Sequence, residues 1–395
     1  MNKVPFLFVA ILLFVVQDIC AQTLASDTAA IYAHLATVAQ DTAERQAAKN
    51  DLPGRLISVD PQITEEGHRL EKKKMDLIDY VPQIHGTIRA KYEYCPQENA
   101  SRFQVRNARF SLTGNVHPIV AYKAEIDLSD KGRIRMLDAY VRVLPIKGLS
   151  FTLGQMKMPF SSDNLRSPHN LYFANRAFIA KQITNLRDVG FTAAYDASQY
   201  FPIEVVAGVF NGSGLTNQSE WQKRMNYSAR INVKPVKAFS FSLNWQSVEP
   251  ENLRMNLYDV GLMSDFYGVH LEVEGVYKTY QNRTFAPSYG FTGFAAYDLL
   301  LPRVFHKLRF LARYDMMNEN YTGTTETVDV DGIPTVQFTA PDPFRQRITA
   351  GITLSIAKPI LAELRINYEK YLYRDWTLSD ESEQDKLVIE LVARF

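Results

Sequence analysis

The chain has 395 residues, a formal net charge of +1 at pH 7, and 46% apolar residues. That balance provides no global basic field for nucleic acid, and the length exceeds an ordinary soluble domain while staying within reach of one large barrel. Beyond residue 16 no apolar run reaches the roughly 18 residues a transmembrane helix needs, so any membrane span must be made of strands.

Residues 1–21 read as a signal peptide. Lys3 supplies the positive start, Phe6 to Val16 the apolar core, and Ile19-Cys20-Ala21 a cleavage site before Gln22. Gln17-Asp18-Ile19 lacks the small residues that precede a lipidated cysteine, so Cys20 does not read as a lipid anchor. The mature chain then keeps a single thiol, Cys95, which cannot form an internal disulfide. Residues 22–81 form a separable periplasmic head and linker. Ile31, Leu35 and Val38 make a thin helical stripe compatible with a short coiled coil, and Glu65 to Lys74 is a mixed charge run typical of a solvated linker.

From Pro82 to the last residue the hydropathy period is two. Phe239, Phe241, Leu243 and Trp245 alternate with Ser240, Ser242, Asn244 and Gln246; Ala362, Leu364, Ile366 and Tyr368 alternate with Glu363, Arg365, Asn367 and Glu369. About sixteen such runs can be counted across 82–395. Tight turns at Asn115-Val116-His117, Pro145 to Gly148, Pro235 to Lys237 and Lys358-Pro359 alternate with longer loops at 159–186, 212–222, 318–343 and 374–385. Short turns at one end, long loops at the other and an even strand count describe a transmembrane antiparallel β-barrel. Such a barrel is the strand-built answer to a solvent that leaves no backbone group unpaired. Apolar side chains then face outer-membrane lipid and polar ones an aqueous lumen. Tyr92, Tyr140, Tyr195, Tyr227, Tyr314, Tyr368, Tyr371 and Tyr373 lie near strand ends, where most should form aromatic girdles. The final strand ends on Phe395, which looks like the signal read by the outer-membrane barrel-assembly machinery.

Several segments between 106 and 190 resemble the phosphate-selective porin O/P family: Arg106-Asn107-Ala108-Arg109-Phe110, Tyr122 to Asp127, Leu137 to Val141, Gly154 to Ser161, Asn175 to Phe178 and Arg187-Asp188-Val189-Gly190. The order and spacing of the pieces carry the resemblance. It implies a homotrimer of sixteen-stranded barrels in the outer membrane of a Gram-negative bacterium, passing small anions such as phosphate or polyphosphate. It also implies a third long loop folded into the pore.

The loop at 159–186 is where selectivity is expected, because cations at a constriction favour anions. Lys157, Arg166, Arg176, Lys181 and Arg187 are the expected constriction residues. Lys123, Arg142, Arg230, Arg309, Arg313, Arg347 and Arg365 belong to the lumen wall. Asp138 and Asp188 are expected to anchor the loop, with Lys157, Arg176 and Arg187 as alternative anchors rather than pore contacts. Carboxylates also line the lumen, including Glu125, Asp127, Glu272, Glu274 and Glu369, which keeps a weakly selective general porin in view. A structural or adhesive outer-membrane role, with the head tethering the barrel, is a further reading. No catalytic constellation is found: His85, His117, His169, His270 and His306 lack a paired serine motif. Asp329-Val330-Asp331-Gly332 lacks the remaining oxygens of a calcium loop, so no metal and no cofactor are expected.

Overall fold

The structure, a computed structural model, describes residues 80–395 except 131–132, 184–186, 216–217, 251–252, 302–305, 331–332, 357–360 and 374–380. The signal at 1–21 and nearly all of the head at 22–81 lie outside the described residues. Eighteen strands follow in chain order. They are β1 Gln83–Cys95, β2 Ala100–His117, β3 Val120–Asp130, β4 Arg133–Ile146, β5 Leu149–Lys157 and β6 Arg187–Asp196. Next come β7 Ile203–Phe210, β8 Asn226–Val236, β9 Phe239–Val248, β10 Met255–Phe266, β11 Val269–Tyr280 and β12 Ser288–Leu300. The last six are β13 Lys307–Met317, β14 Thr325–Val330, β15 Ile333–Phe338, β16 Arg345–Ile356, β17 Leu361–Tyr373 and β18 Lys386–Arg394.

Sixteen of them close into one antiparallel barrel in which each strand pairs with its sequence neighbour, β13 pairs with β16, and β18 closes on β1. The remaining pair, β14 and β15, is a separate hairpin inside the long loop 318–343, which the periodicity left as plain loop. A second correction concerns the first tight turn. Strand pairing runs through Asn115 and His117, and the reversal falls at Pro118-Ile119, where proline cannot donate to the ladder.

Alternation makes the wall. In β9, Ser240, Ser242, Asn244 and Gln246 point inward and are buried, while Leu243 and Trp245 are 42% and 37% exposed on the outside. Outward aromatics gather at both rims: Tyr227, Tyr258, Tyr277, Tyr289 and Tyr314 toward the long-loop end, and Tyr195, Phe266, Tyr297 and Phe310 toward the short-turn end. Tyr140 and Tyr371, expected in these girdles, instead lie buried on the lumen side. Near them Phe178 of the inward loop packs on Tyr371, with ring centroids 5.9 Å apart.

The loop between β5 and β6 lies within the barrel. It contains a short helix, α1 Ser162–Leu165, a 3-10 turn at Pro168–Asn170 and a π-helical turn at Ile179–Ile183. Phe160, Phe178 and Ile179 are essentially inaccessible. Gly290 of β12 lets Ile179 lie against the wall: a Cβ there would come within 2.6 Å of Ile179 Cγ2.

Candidate functional site

A loop crossing a polar lumen must find partners for its own carbonyl groups, and the wall arginines supply them. Arg89 Nη2 donates to Ala174 O at 2.6 Å, Arg313 Nη1 to Asn175 O at 2.9 Å, Arg347 Nη2 to Arg176 O at 2.7 Å, and Arg365 Nη2 to His169 O at 3.0 Å. The same arginines are held by carboxylates: Arg89 and Arg365 by Glu390, Arg365 also by Glu363, Arg347 by Asp315 and Glu369, and Arg313 by Asp315. Of the predicted wall cations, Arg313, Arg347 and Arg365 thus carry the loop. Arg230 donates to Asn244 Oδ1 at 2.7 Å and to Ser162 Oγ at 3.1 Å. Arg309 is clamped by Asp298 and stacks on Tyr172, Lys123 bonds Asp138 at 3.0 Å, and Arg142 bonds Thr152 at 3.0 Å.

The five expected constriction residues separate. Arg166 is buried on the β11 side, with Nη2 2.5 Å from Glu272 Oε2 and Nη1 3.2 Å from Asp163 Oδ1. Arg176 turns back on its own loop, donating to Asp163 O and Arg166 O while it lines open space. Lys181, half exposed, pairs with Glu383 at 2.8 Å. Lys157 Nζ reaches the loop carbonyls of Asn164 (2.6 Å) and Arg166 (3.2 Å). Arg187 Nε bonds Asp138 Oδ1 at 3.0 Å. The Asp188 carboxylate accepts from the amides of Val189 and Gly212, fixing the start of the next long loop.

Two cavities run past the loop. The larger, ≈670 Å³, is lined by the long-loop halves of β1 to β6 and β16 to β18. Its cations are Arg89, Lys91, Arg102, Arg106, Arg109, Arg135, Lys157, Arg176, Lys181, Arg187, Arg347 and Lys386, against the two carboxylates Glu93 and Asp127. The smaller, ≈80 Å³, lies toward the short-turn end among Lys123, Glu125, Asp138, Arg142 and Thr152. Lys157 and Arg187 line both and therefore stand at the neck between them. Carboxylates temper the neck: Arg109 pairs with Asp127 and Glu125, and Lys123 with Glu125 and Asp138.

Sequence reasoning did not single out Arg102, Arg106, Arg109, Arg135 or Lys386. The cause is local for β2. Asn107 pairs with Arg89 but Val105 pairs with Ala90, so Arg106 is the extra residue of a β-bulge and the count of alternate positions changes parity there. A cluster of three arginines in eight residues of one strand, Arg102, Arg106 and Arg109, was the signal that could have marked this wall.

The sequence profile of phosphate-selective porin O and P matches residues 83–285, just over half of the chain. No curated protein matches. Among solved structures, the anion-selective porin from Comamonas acidovorans superposes with a TM-score of 0.55 at 9% identity, covering 80% of this chain and 98% of that one. Salmonella typhi OmpF, in complex with daunomycin, gives 0.55 at 11% identity over 81% and 99% of the two chains. The outer membrane channel DcaP of Acinetobacter baumannii gives 0.52 at 12% identity over 81% and 98%. At such identities these structures speak for the barrel alone. The family speaks for a channel of the Gram-negative outer membrane, and the chain belongs to the phosphate-selective porin O and P family.

Proposed function

We propose that this porin is a passive channel for small anions whose path follows the cationic wall through the larger cavity, past Lys157 and Arg187, into the smaller one. The carrying observation is the lining of the larger cavity, where lysines and arginines greatly outnumber carboxylates. In a narrow passage with low-dielectric walls such an excess concentrates anions and repels cations. Phosphate is the solute suggested by the family name, and polyphosphate extends the same chemistry. A homotrimer in outer-membrane lipid, an N-terminal head at 22–81 in the periplasm, short turns facing the periplasm and insertion through the barrel-assembly machinery by way of Phe395 complete the proposal.

The reversal potential of the purified protein in planar bilayers under a potassium chloride gradient, repeated with added phosphate, tests it. Chloride preference with phosphate block supports an anion channel with a phosphate site. Conductance with weak selectivity supports the general-porin reading, which the carboxylates Glu125, Asp127 and Asp138 near the neck favour. Absence of conductance moves the structural role to the front.

A further inference from the structure

The lumen face of β10 and β11 is acidic. Asp259, Glu272 and Glu274 fall on inward positions, where open carboxylates would attract cations and oppose anion passage. All three are at most 2% exposed. What covers Glu272 and Glu274 is the first turn of the inward loop. Glu274 Oε1 accepts from the Ser162 amide at 2.6 Å and Oε2 from the Asp163 amide at 3.2 Å. Glu272 Oε2 takes Arg166 at 2.5 Å. Asp259 accepts from Asn244 and shares a side-chain hydrogen bond with Glu274, while Glu272 Oε1 is buried with no hydrogen-bond partner, so this patch holds more acceptor capacity than the loop satisfies. Burying carboxylates is costly unless they are paired and hydrogen-bonded, and here the loop supplies the amides and the guanidinium.

We infer that the inward loop makes this channel anion-preferring chiefly by masking the β10–β11 carboxylates, with Ser162 and Arg166 as the specificity-determining residues. This rests on the anion-channel reading above. Arg166 then acts as a neutralising plug rather than as a ligand for permeating ions. The loop divides the lumen: one side is sealed over acid, and the basic side stays open.

A thermodynamic cycle tests it on the full-length protein in planar bilayers. Ser162→Pro deletes the amide that caps Glu274 without changing charge, at a first helical position that tolerates proline. The expected result is a severalfold fall in the anion-to-cation permeability ratio. Glu274→Gln should move the ratio little in the wild-type background and restore it in the Ser162→Pro background. Equal effects of Glu274→Gln in both backgrounds would overturn the inference, as would an assembled Ser162→Pro channel with unchanged selectivity. Should Ser162→Pro fail to assemble, the cycle of Arg166→Met with Glu272→Gln is read the same way. A wild-type channel that proves cation-selective sinks the anion reading alone, because the non-additivity of either cycle still reports whether the carboxylates are masked.

Discussion

The wall formed by β1 to β4 and the wall formed by β10 and β11 are built from the same strand grammar, yet the inward loop meets them in opposite ways. Against β11 it presses amides and Arg166 onto Glu272 and Glu274 and excludes solvent. Arg89 of β1 reaches a loop carbonyl, but opposite β2 the loop leaves a ≈670 Å³ space faced by Arg102, Arg106 and Arg109. A count of lumen-facing charges along the chain weighs both walls equally. The channel does not, since a charge under a packed loop no longer faces passing ions. Selectivity is therefore a property of which charges stay wet.

That contrast can be broken in order of expected effect. Lys157→Glu with Arg187→Glu reverses the sign of the neck between the two cavities, and should carry the reversal potential across zero toward cations. Next, Gly290→Val forces Ile179 off the wall and should loosen the loop, raising conductance while lowering anion preference; unchanged single-channel conductance would refute it. Arg365→Met takes the arginine from buried Glu363 and leaves Glu390 with Arg89 alone, and should lower unfolding stability in detergent by about 3–5 kcal/mol, the cost of breaking a buried pair. Its reversal potential should shift less than that of the neck variant. Smallest is Lys91→Gln with Arg102→Gln toward the mouth of the basic wall. Anion conductance should fall at ~0.1 M salt and recover toward wild type near ~1 M, where the screening length shrinks to about 3 Å.

Much of the barrel was legible because lipid enforces a period of two on every strand, and an exposed Val209 or Leu243 on one side demands a polar or packed residue on the next. The inward loop could be located from its length. Its partners could not be read, because Arg347 and Arg176, or Glu272 and Arg166, meet only after the chain has closed and the loop has turned in. Arg166 within the loop and Arg187 at its border look alike as constriction cations in the sequence; one ends buried on Glu272 and the other lines both cavities. Tyr371 was misplaced because a lumen filled by protein accepts aromatics as readily as a lipid rim does, here by a tilted ring contact with Phe178 and a hydrogen bond to Glu369.

The closure of β18 on β1 bears on timing. Phe395 exchanges both backbone hydrogen bonds with Gly86, and a Cβ on Gly86 would collide with the Phe395 ring, so the seam closes tightly beside β18. Until β18 pairs with it, β1 has no second neighbour and its edge cannot be sealed against hydrocarbon. The closing contact also spans nearly the whole barrel sequence, which makes it the slowest kind of pairing to find by search. A chain cut short by even its final strand therefore carries two open edges and has no stable resting state in the bilayer. The seam thus acts as a check on assembly, passed only by molecules in which β1 and β18 have met.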